Sequence, residues 1–538
     1  MVSESIYEGN IPISLILASQ LNMAKYLFNA STRLKIITGL SLFGAFLALF
    51  YYLQFSTLNL AGTDGYYHIK FASLMGTQSV KPNFPWLPLT ILNAREFYDH
   101  HFLFHILLIP FTKGDLIQGA KLASVFYASL AFLSVWWLLR NQMIPFAWLW
   151  ALSLFAVSEA FLYRMNMPRA QSLSLIFLAL GMNFLLLKKY KYLLPLSFLY
   201  VWSYDGYPLI LILSGVYVFS VWLIERKLTF EPILYTGAGV LLGLLINPYF
   251  PHNIIFSIRH IVPKLNEITN VRVGNEWYPY DTNQLLTNSP LALIAFLSGV
   301  IALGLQDRRV DTRTIFVLLL TIIFGFMLFQ SRRFIEYFPT FTLIFAAFAW
   351  TPLISEKKFE KEEIMHSGNW KKPEDSPGNI KSSRNLLPIT ILSLAVLVGS
   401  WISINGARAS LQDSKPADRY AQAAMWLEQN TTQGERIFQT DWDDFPRLFF
   451  HNTWNTYLVG LDPTYLQISD PELFDLWVDI TKGKVKSPSN VIKDSFASNY
   501  VFTDLKHNEF IERADEDQGL TEVYQDEDAI IYQVVTQE

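Results

Sequence analysis

RLKIITGLSLFGAFLALFYYLQ, residues 33–54, opens with two cations and then continues without a charged side chain as far as Thr63. A bilayer core of about 30 Å takes roughly 20 apolar residues in a helix. This run is therefore a first membrane span, and Arg33 and Lys35 mark its inner end, because cytoplasmic flanks carry the excess of Lys and Arg. The chain then emerges as FSTLNLAGTDGYYHIK, residues 55–70. That combination, a span followed at once by a polar loop holding an acid and a histidine, sets the architecture expected for the rest.

Ten further apolar segments follow, near 116–139, 143–162, 170–187, 191–204, 207–224, 231–247, 290–305, 314–330, 334–353 and 386–403. The expected fold is a polytopic α-helical membrane protein with about 11 spans. The segments on either side of Asp205 read as two spans meeting at the surface or as one broken span. Hydrophobic residues make up 51% of the chain and charged residues only 16%, against about a quarter in soluble domains. Mean hydropathy is +0.25. The first 30 residues contain Glu4 and Glu8 and lack the basic, apolar, small-residue order of a cleaved signal. With no cysteine in the chain, disulfides, thiolate metal sites and Cys nucleophiles are excluded.

Arg140, Lys188, Lys189, Lys191, Arg226, Lys227, Arg308, Arg309, Arg313 and the polar connector 354–385 fall on the same side as Arg33. The bias places the N-terminus in the cytoplasm and residues 404–538 outside. Those residues hold 24 Asp and Glu against 11 Lys and Arg, whereas the remainder holds 22 against 31. An acidic module without clustered Lys and Arg is no nucleic-acid binder. The division expected is a transmembrane domain, 1–403, with long outer loops at 55–115 and 248–289, and a soluble outer domain, 404–538. Within the latter, 420–429 reads as a helix and 436–439, 500–503 and 529–534 as strands, giving an α/β or α+β fold. In the second loop, 254–261 reads as an interfacial helix.

Six clusters have the residue types for chemistry. Asp64 and His68 lie one turn apart if a helix starts at Thr63 or Asp64, with Asp64 as a helix cap, a base or a cation ligand. Asp99-His100-His101 stands at the edge of an apolar run and has the ligand types for Mn²⁺ or Zn²⁺, or caps an interfacial helix. Arg164 and Arg169 sit at an outer hairpin, against the inside bias, as phosphate ligands or as snorkelling cations. Arg332 and Arg333 head another span. Arg332 either pairs with Glu336 at i,i+4 or, with its neighbour, meets an anionic leaving group. Glu276 in Asn-Glu-Trp-Tyr-Pro, and Trp442 with Asp443 in Asp-Trp-Asp-Asp, read as contact residues or as turns packed by aromatics.

Taken together and in this order, the clusters resemble the C-type (GT-C) glycosyltransferase superfamily, and most nearly the catalytic subunit of oligosaccharyltransferase. Asp64 in Asp-Gly-Tyr-Tyr-His resembles the family's first-loop catalytic aspartate. Asp99-His100-His101 is similar to an archaeal Asp-His-His metal motif, although here it ends the first outer loop rather than lying in the second. Glu276 resembles the glutamate of the fifth-loop motif, and Arg332 and Arg333 the arginine near the donor pyrophosphate. Of the Trp-Trp-Asp-Tyr-Gly block that reads the acceptor, only Trp442 and Asp443 match, and Arg164 to Gln171 stands where an acid pair is expected.

The resemblance implies a membrane glycosyltransferase. It would take a sugar or glycan from a polyprenyl-phosphate or polyprenyl-pyrophosphate donor to a protein, lipid or glycan acceptor at the outer face. It implies Asp64 and Glu276 as catalytic residues. His68, Arg164, Arg169, Arg332, Arg333, Tyr337, Trp442 and Asp443 would contact substrate. A divalent ion (Mn²⁺ or Mg²⁺) would be held by Asp64, Asp99 and His101. The membrane expected is a prokaryotic plasma membrane. The rival readings are a transporter or flippase of a lipid-linked or polar solute, and a non-catalytic membrane scaffold.

Overall fold

The computed structural model describes residues 13–261, 275–307, 309–366 and 387–535. The chain is 67% helical, with a small C-terminal sheet. Among the described residues five helices are long and apolar enough to cross a bilayer: Arg33–Gln54, Leu116–Asn141, Pro208–Glu225, Thr312–Gln330 and Thr390–Gln412. Two bent pairs raise the count to seven if each is one span: Glu159–Asn166 with Gln171–Leu186, turned by 108°, and Thr282–Asn288 with Pro290–Gly304, turned by 84°. Phe102–Thr112, Glu231–Leu245 and Phe338–Ile354 are apolar but shorter.

The polytopic helical architecture is as expected, and the count among the described residues is five to seven candidate spans against the expected 11 or so. Segment 143–162 breaks into a short helix Ala147–Leu152, a 3₁₀ turn Ser153–Phe155 and the helix Glu159–Asn166. Segment 191–204 contains the 11-residue helix Leu193–Ser203, which ends before Asp205. Hydropathy registers apolar content but not the point where a helix turns. The sharpest turn falls at Met167–Ala170, where Pro168 lacks the N–H that would continue the ladder. Of the connector 354–385, residues 355–366 continue a helix to His366. The remainder of the connector lies outside the described residues, as do Arg308, Glu4 and Glu8.

The helix Leu116–Asn141 is largely buried, and its N-terminus is capped by the Asp115 carboxylate, which accepts from Gln118 N at 2.7 Å. Against it pack Phe46 and Phe50 of the first span, with Phe132 and Phe155 closing an edge-to-face aromatic cluster. Other faces stay apolar and open: Trp401 is 71% and Phe326 70% exposed, the lipid-facing pattern. Helices also approach closely through small residues. A Cβ on Gly239 would lie 2.2 Å from the Leu194 carbonyl oxygen, so only glycine permits that crossing.

The C-terminal sheet has β1 Arg436–Gln439, β2 Thr456–Tyr457, β3 Tyr500–Asp504, β4 Leu520–Gln525 and β5 Ala529–Val534, in the order β2-β1-β3-β5-β4. β1 runs parallel to β2 and β3, while β5 is antiparallel to β3 and β4. The helix expected over 420–429 spans Ala421–Asn430. The membrane helix ahead of this sheet extends beyond position 404 to Gln412.

The loop 55–115 is built into this sheet. Tyr457 N donates to Trp86 O at 2.8 Å, and Trp86 Nε1 donates to Thr453 O at 2.9 Å. Phe84, Trp86, Phe97, Phe445 and Phe449 share one buried cluster. The stretch after Gly62, amphipathic in sequence, is the helix Asp64–Thr77, buried on most sides between the loop and the sheet.

Candidate active site

Four segments far apart in sequence meet at the ends of the bent helices. Asp64 is the first residue of its helix, and Thr63 before it makes no capping bond. The Thr63 hydroxyl instead donates to Asp443 Oδ1 at 2.8 Å. This leaves the Asp64 carboxylate free to form an ion pair with Arg169 Nη2. Arg169 follows Pro168 in the 108° elbow, and Arg164 lies in the last turn of the helix before it, so the elbow presents both guanidinium groups.

Glu276 is the hub. Its Oε2 accepts from Arg164 Nη1 at 2.9 Å and from Arg169 Nη1 at 3.2 Å, and its Oε1 lies 3.6 Å from Arg333 Nη1. Burial opposes the charge on Glu276, yet Arg169, Arg164 and Arg333 together hold its carboxyl well below the usual range. The short turn Asn275–Trp277 is fastened to the turn Arg332–Glu336, because Ser331 Oγ donates to Glu276 O at 2.8 Å. Arg333 also donates to the Tyr204 hydroxyl at 2.6 Å and lies over the Trp277 ring, 5.0 Å from its centroid.

The expected i,i+4 pair of Arg332 with Glu336 does not form. The segment is a 3₁₀ turn, whose three-residue period sends the two side chains to different faces. Glu336 points inward, fully buried, and accepts from Arg164 Nε at 2.8 Å. Arg332 donates to Pro279 O at 3.1 Å and lines a neighbouring pocket of about 470 Å³ with Glu159, Tyr163, Arg164, Glu276 and Tyr280. Tyr337 is buried in the bundle, where its hydroxyl shares a 2.7 Å hydrogen bond with Ser174 Oγ.

On the other side of Asp64 runs a buried chain. Asp99 Oδ2 accepts from His105 Nδ1 at 2.8 Å, and His105 Nε2 lies 2.8 Å from His68 Nδ1. A carboxylate only accepts, so His105 Nδ1 donates to Asp99. His101 packs edge-on to His68 at 4.8 Å and faces the Tyr204 ring at 5.6 Å. Burial, reinforced by neighbouring histidines and Arg169, pushes His68 and His101 well below the ordinary imidazole range, so both are neutral at pH 7.

These contacts test the expected ion site. Asp64 is turned to Arg169, both Asp99 oxygens are taken by His105 Nδ1 and the His101 backbone N–H, and His101 stacks on rings. Asp64, Asp99 and His101 do not form one ligand set. Among the described residues no group of three or more His, Asp or Glu is arranged to hold a metal.

Trp442 and Asp443 lie in the turn Trp442–Asp444 at the end of β1, where Asp441 accepts from Asp443 N. Trp442 is partly buried against the core of the sheet, and Asp443 meets the active region through Thr63. Burial, with Asp64 and Asp441 nearby, pushes the Asp443 carboxyl up to about 6. Sequence reasoning missed Glu336, His105 and Tyr204 as members of the site. The signal for Glu336 and His105 was an ionisable group inside an apolar run, which is costly unless partnered.

No family model matches the chain, and no curated protein does. Solved structures do. The oligosaccharyltransferase of Archaeoglobus fulgidus in its apo form superposes with a TM-score of 0.63 at 12% identity, over 89% of this chain and 71% of that one. The same organism's AglB, in complex with an inhibitory peptide and a dolichol-phosphate, gives 0.61 at 13% identity over 89% and 71%. A further structure of that enzyme is a complex with Zn and sulfate. ArnT from Cupriavidus metallidurans, bound to undecaprenyl phosphate, gives 0.54 at 13% identity over 92% of this chain and 97% of that one. AglB and ArnT are both GT-C glycosyltransferases, and this chain has the fold they share.

Proposed function

We propose that the protein is a membrane glycosyltransferase that moves a sugar from a polyprenyl-phosphate-linked donor to an acceptor at the outer face. The observation that carries the reading is the meeting of Asp64, Arg169, Glu276, Arg164 and Arg333 at the ends of the bent helices. Fixed cations beside a carboxylate are what glycosyl transfer from a phosphate requires. As the bond from the sugar anomeric carbon to the phosphate oxygen breaks, negative charge grows on the phosphate. Arg169 and Arg333 are preorganised to receive it. Arg suits this task because its planar fork gives paired N–H donors to phosphate oxygens.

The acceptor oxygen or nitrogen forms the new bond to the anomeric carbon and surrenders its proton to Asp64. Glu276 holds the guanidinium groups in place. The polyprenyl tail enters sideways from the hydrocarbon region. The neighbouring solved structures bound to dolichol-phosphate and undecaprenyl phosphate support a lipid-phosphate donor. Asp443, from the acidic C-terminal region, reaches the Asp64 region through Thr63, which favours an acceptor arriving from that side. The Lys and Arg distribution supports a cytoplasmic N-terminus and an outward C-terminal region in a prokaryotic plasma membrane.

The test is transfer or donor cleavage by the full chain in vesicles loaded with polyprenyl-phosphate-linked sugars. Asp64→Ala should reduce turnover by about 10²–10⁴-fold, the usual weight of a general base. Turnover that survives the substitution nearly intact removes Asp64 from the reaction.

A further inference from the structure

We propose that Arg169 occupies the place of a divalent cation in this site, so that the chain transfers its sugar without a bound metal. The inference rests on the glycosyltransferase reading and concerns how that reaction is run.

Three observations support it. First, Arg169 occupies Asp64, the one acid assigned to both the ion and the acceptor, and ties it to Glu276: Nη2 meets Asp64, and Nη1 meets Glu276 Oε2 at 3.2 Å. The guanidinium fills the position between these carboxylates, and Asp99 cannot supplement them while both its oxygens are engaged elsewhere. Second, the central acids already have cations. Arg164, Arg169 and Arg333 pair directly with Asp64, Glu276 and Glu336, and Asp205 and Asp443 are the further acids beside them. A divalent ion would add two positive charges beside fixed guanidinium groups.

Third, the two segments that carry the pair are packed directly against each other. A Cβ on Gly65 would lie 2.2 Å from Pro168 Cγ, and one on Gly62 would lie 2.4 Å from Met167 Cε. The residues flanking Asp64 and those leading into Arg169 are thus in direct contact. An octahedral ion with its retained waters needs ligands on all sides at about 2.1 Å. The clamp holds the carboxylate against the guanidinium instead. Arg169 then does in one group what an ion would do in another: it orients Asp64 and offers its remaining N–H groups to the departing phosphate.

The experiment uses the full chain in nanodiscs, with and without polyprenyl phosphate. Mn²⁺ uptake is read by electron paramagnetic resonance, and turnover is followed in EDTA and in Mn²⁺. The expected result is no stoichiometric Mn²⁺ uptake tighter than about 1 mM, the weak end for oxygen-ligand sites, and equal turnover in both buffers. Arg169→Ala should lose about 100-fold or more in turnover, recovered in part by added guanidinium and not by Mn²⁺. Arg169→Lys, which keeps the charge, guards against a folding defect in the alanine variant.

Stoichiometric Mn²⁺ uptake abolished by Asp64→Asn would overturn the proposal, as would wild-type turnover that collapses in EDTA and returns with Mn²⁺. If no condition yields turnover with any donor, the glycosyltransferase reading fails, and Mn²⁺ uptake still decides the cation question.

Discussion

Arg164 and Glu276, 112 residues apart in the chain, meet at 2.9 Å, and the same arginine reaches Glu336 with its Nε at 2.8 Å. One guanidinium thereby joins the elbow at Pro168, the turn Asn275–Trp277 and the head of the helix beginning at Phe338. Glu276→Ala removes the carboxylate that three arginines share. Breaking a largely buried pair costs about 3 kcal/mol or more, because the partner charges stay behind uncompensated. Thermal unfolding in detergent should show this as a lowered midpoint. An unchanged midpoint would mean that the arginines reach water without Glu276.

The contact of Gly65 with Pro168 makes a sharper prediction. Gly65→Ala inserts a methyl where 2.2 Å is free, against a ring that has no flexible end. The start of the Asp64–Thr77 helix must shift, carrying Asp64 away from Arg169. A displacement near 1 Å in a preorganised site costs about 100-fold in rate. Turnover should fall by that order while helical content by circular dichroism stays the same.

Asp443 predicts a pH dependence. Burial, with Asp64 and Asp441 close by, raises its carboxyl to about 6, whereas an unfolded Asp titrates near about 3.9. The folded chain therefore binds this proton more tightly. That contribution to stability is complete below about pH 4 and is lost as pH rises through about 6. Two units correspond to about 3 kcal/mol at most. Asp443→Asn keeps an acceptor for Thr63 and removes the titration. The variant should be more stable than the parent at pH 7.5, with the difference vanishing toward pH 4. Unfolding midpoints of the two proteins over pH 4–8, spanning the roughly two-unit window between folded and free carboxyl, measure this directly.

His105 stands fully buried between Asp99 and His68. His105→Phe fills the volume but strands a carboxylate and an imidazole, each costing about 1–3 kcal/mol when left unsatisfied. Hydrogen exchange in the Asp64–Thr77 helix should speed up. Exchange that stays at the parent rate would show that the aromatic packing of Phe71, Phe84 and Phe97 holds the loop without the chain of hydrogen bonds.

By itself the amino-acid sequence determined what depends on local composition and on period. The uncharged run after Lys35, the acid at Asp64 and the strands at 436–439, 500–503 and 529–534 are local properties, and the structure has the first span and all three strands in place. What tertiary structure alone decided is pairing. Spacing offered a pair of Arg332 with Glu336, and the family resemblance grouped Asp99 with Asp64 around an ion. The fold instead joins Glu336 to Arg164, Asp99 to His105 and Asp64 to Arg169. A side chain's partner is set by how helices bend and cross, as at Pro168 and Gly65, and helical period cannot report a contact between segments more than 100 residues apart.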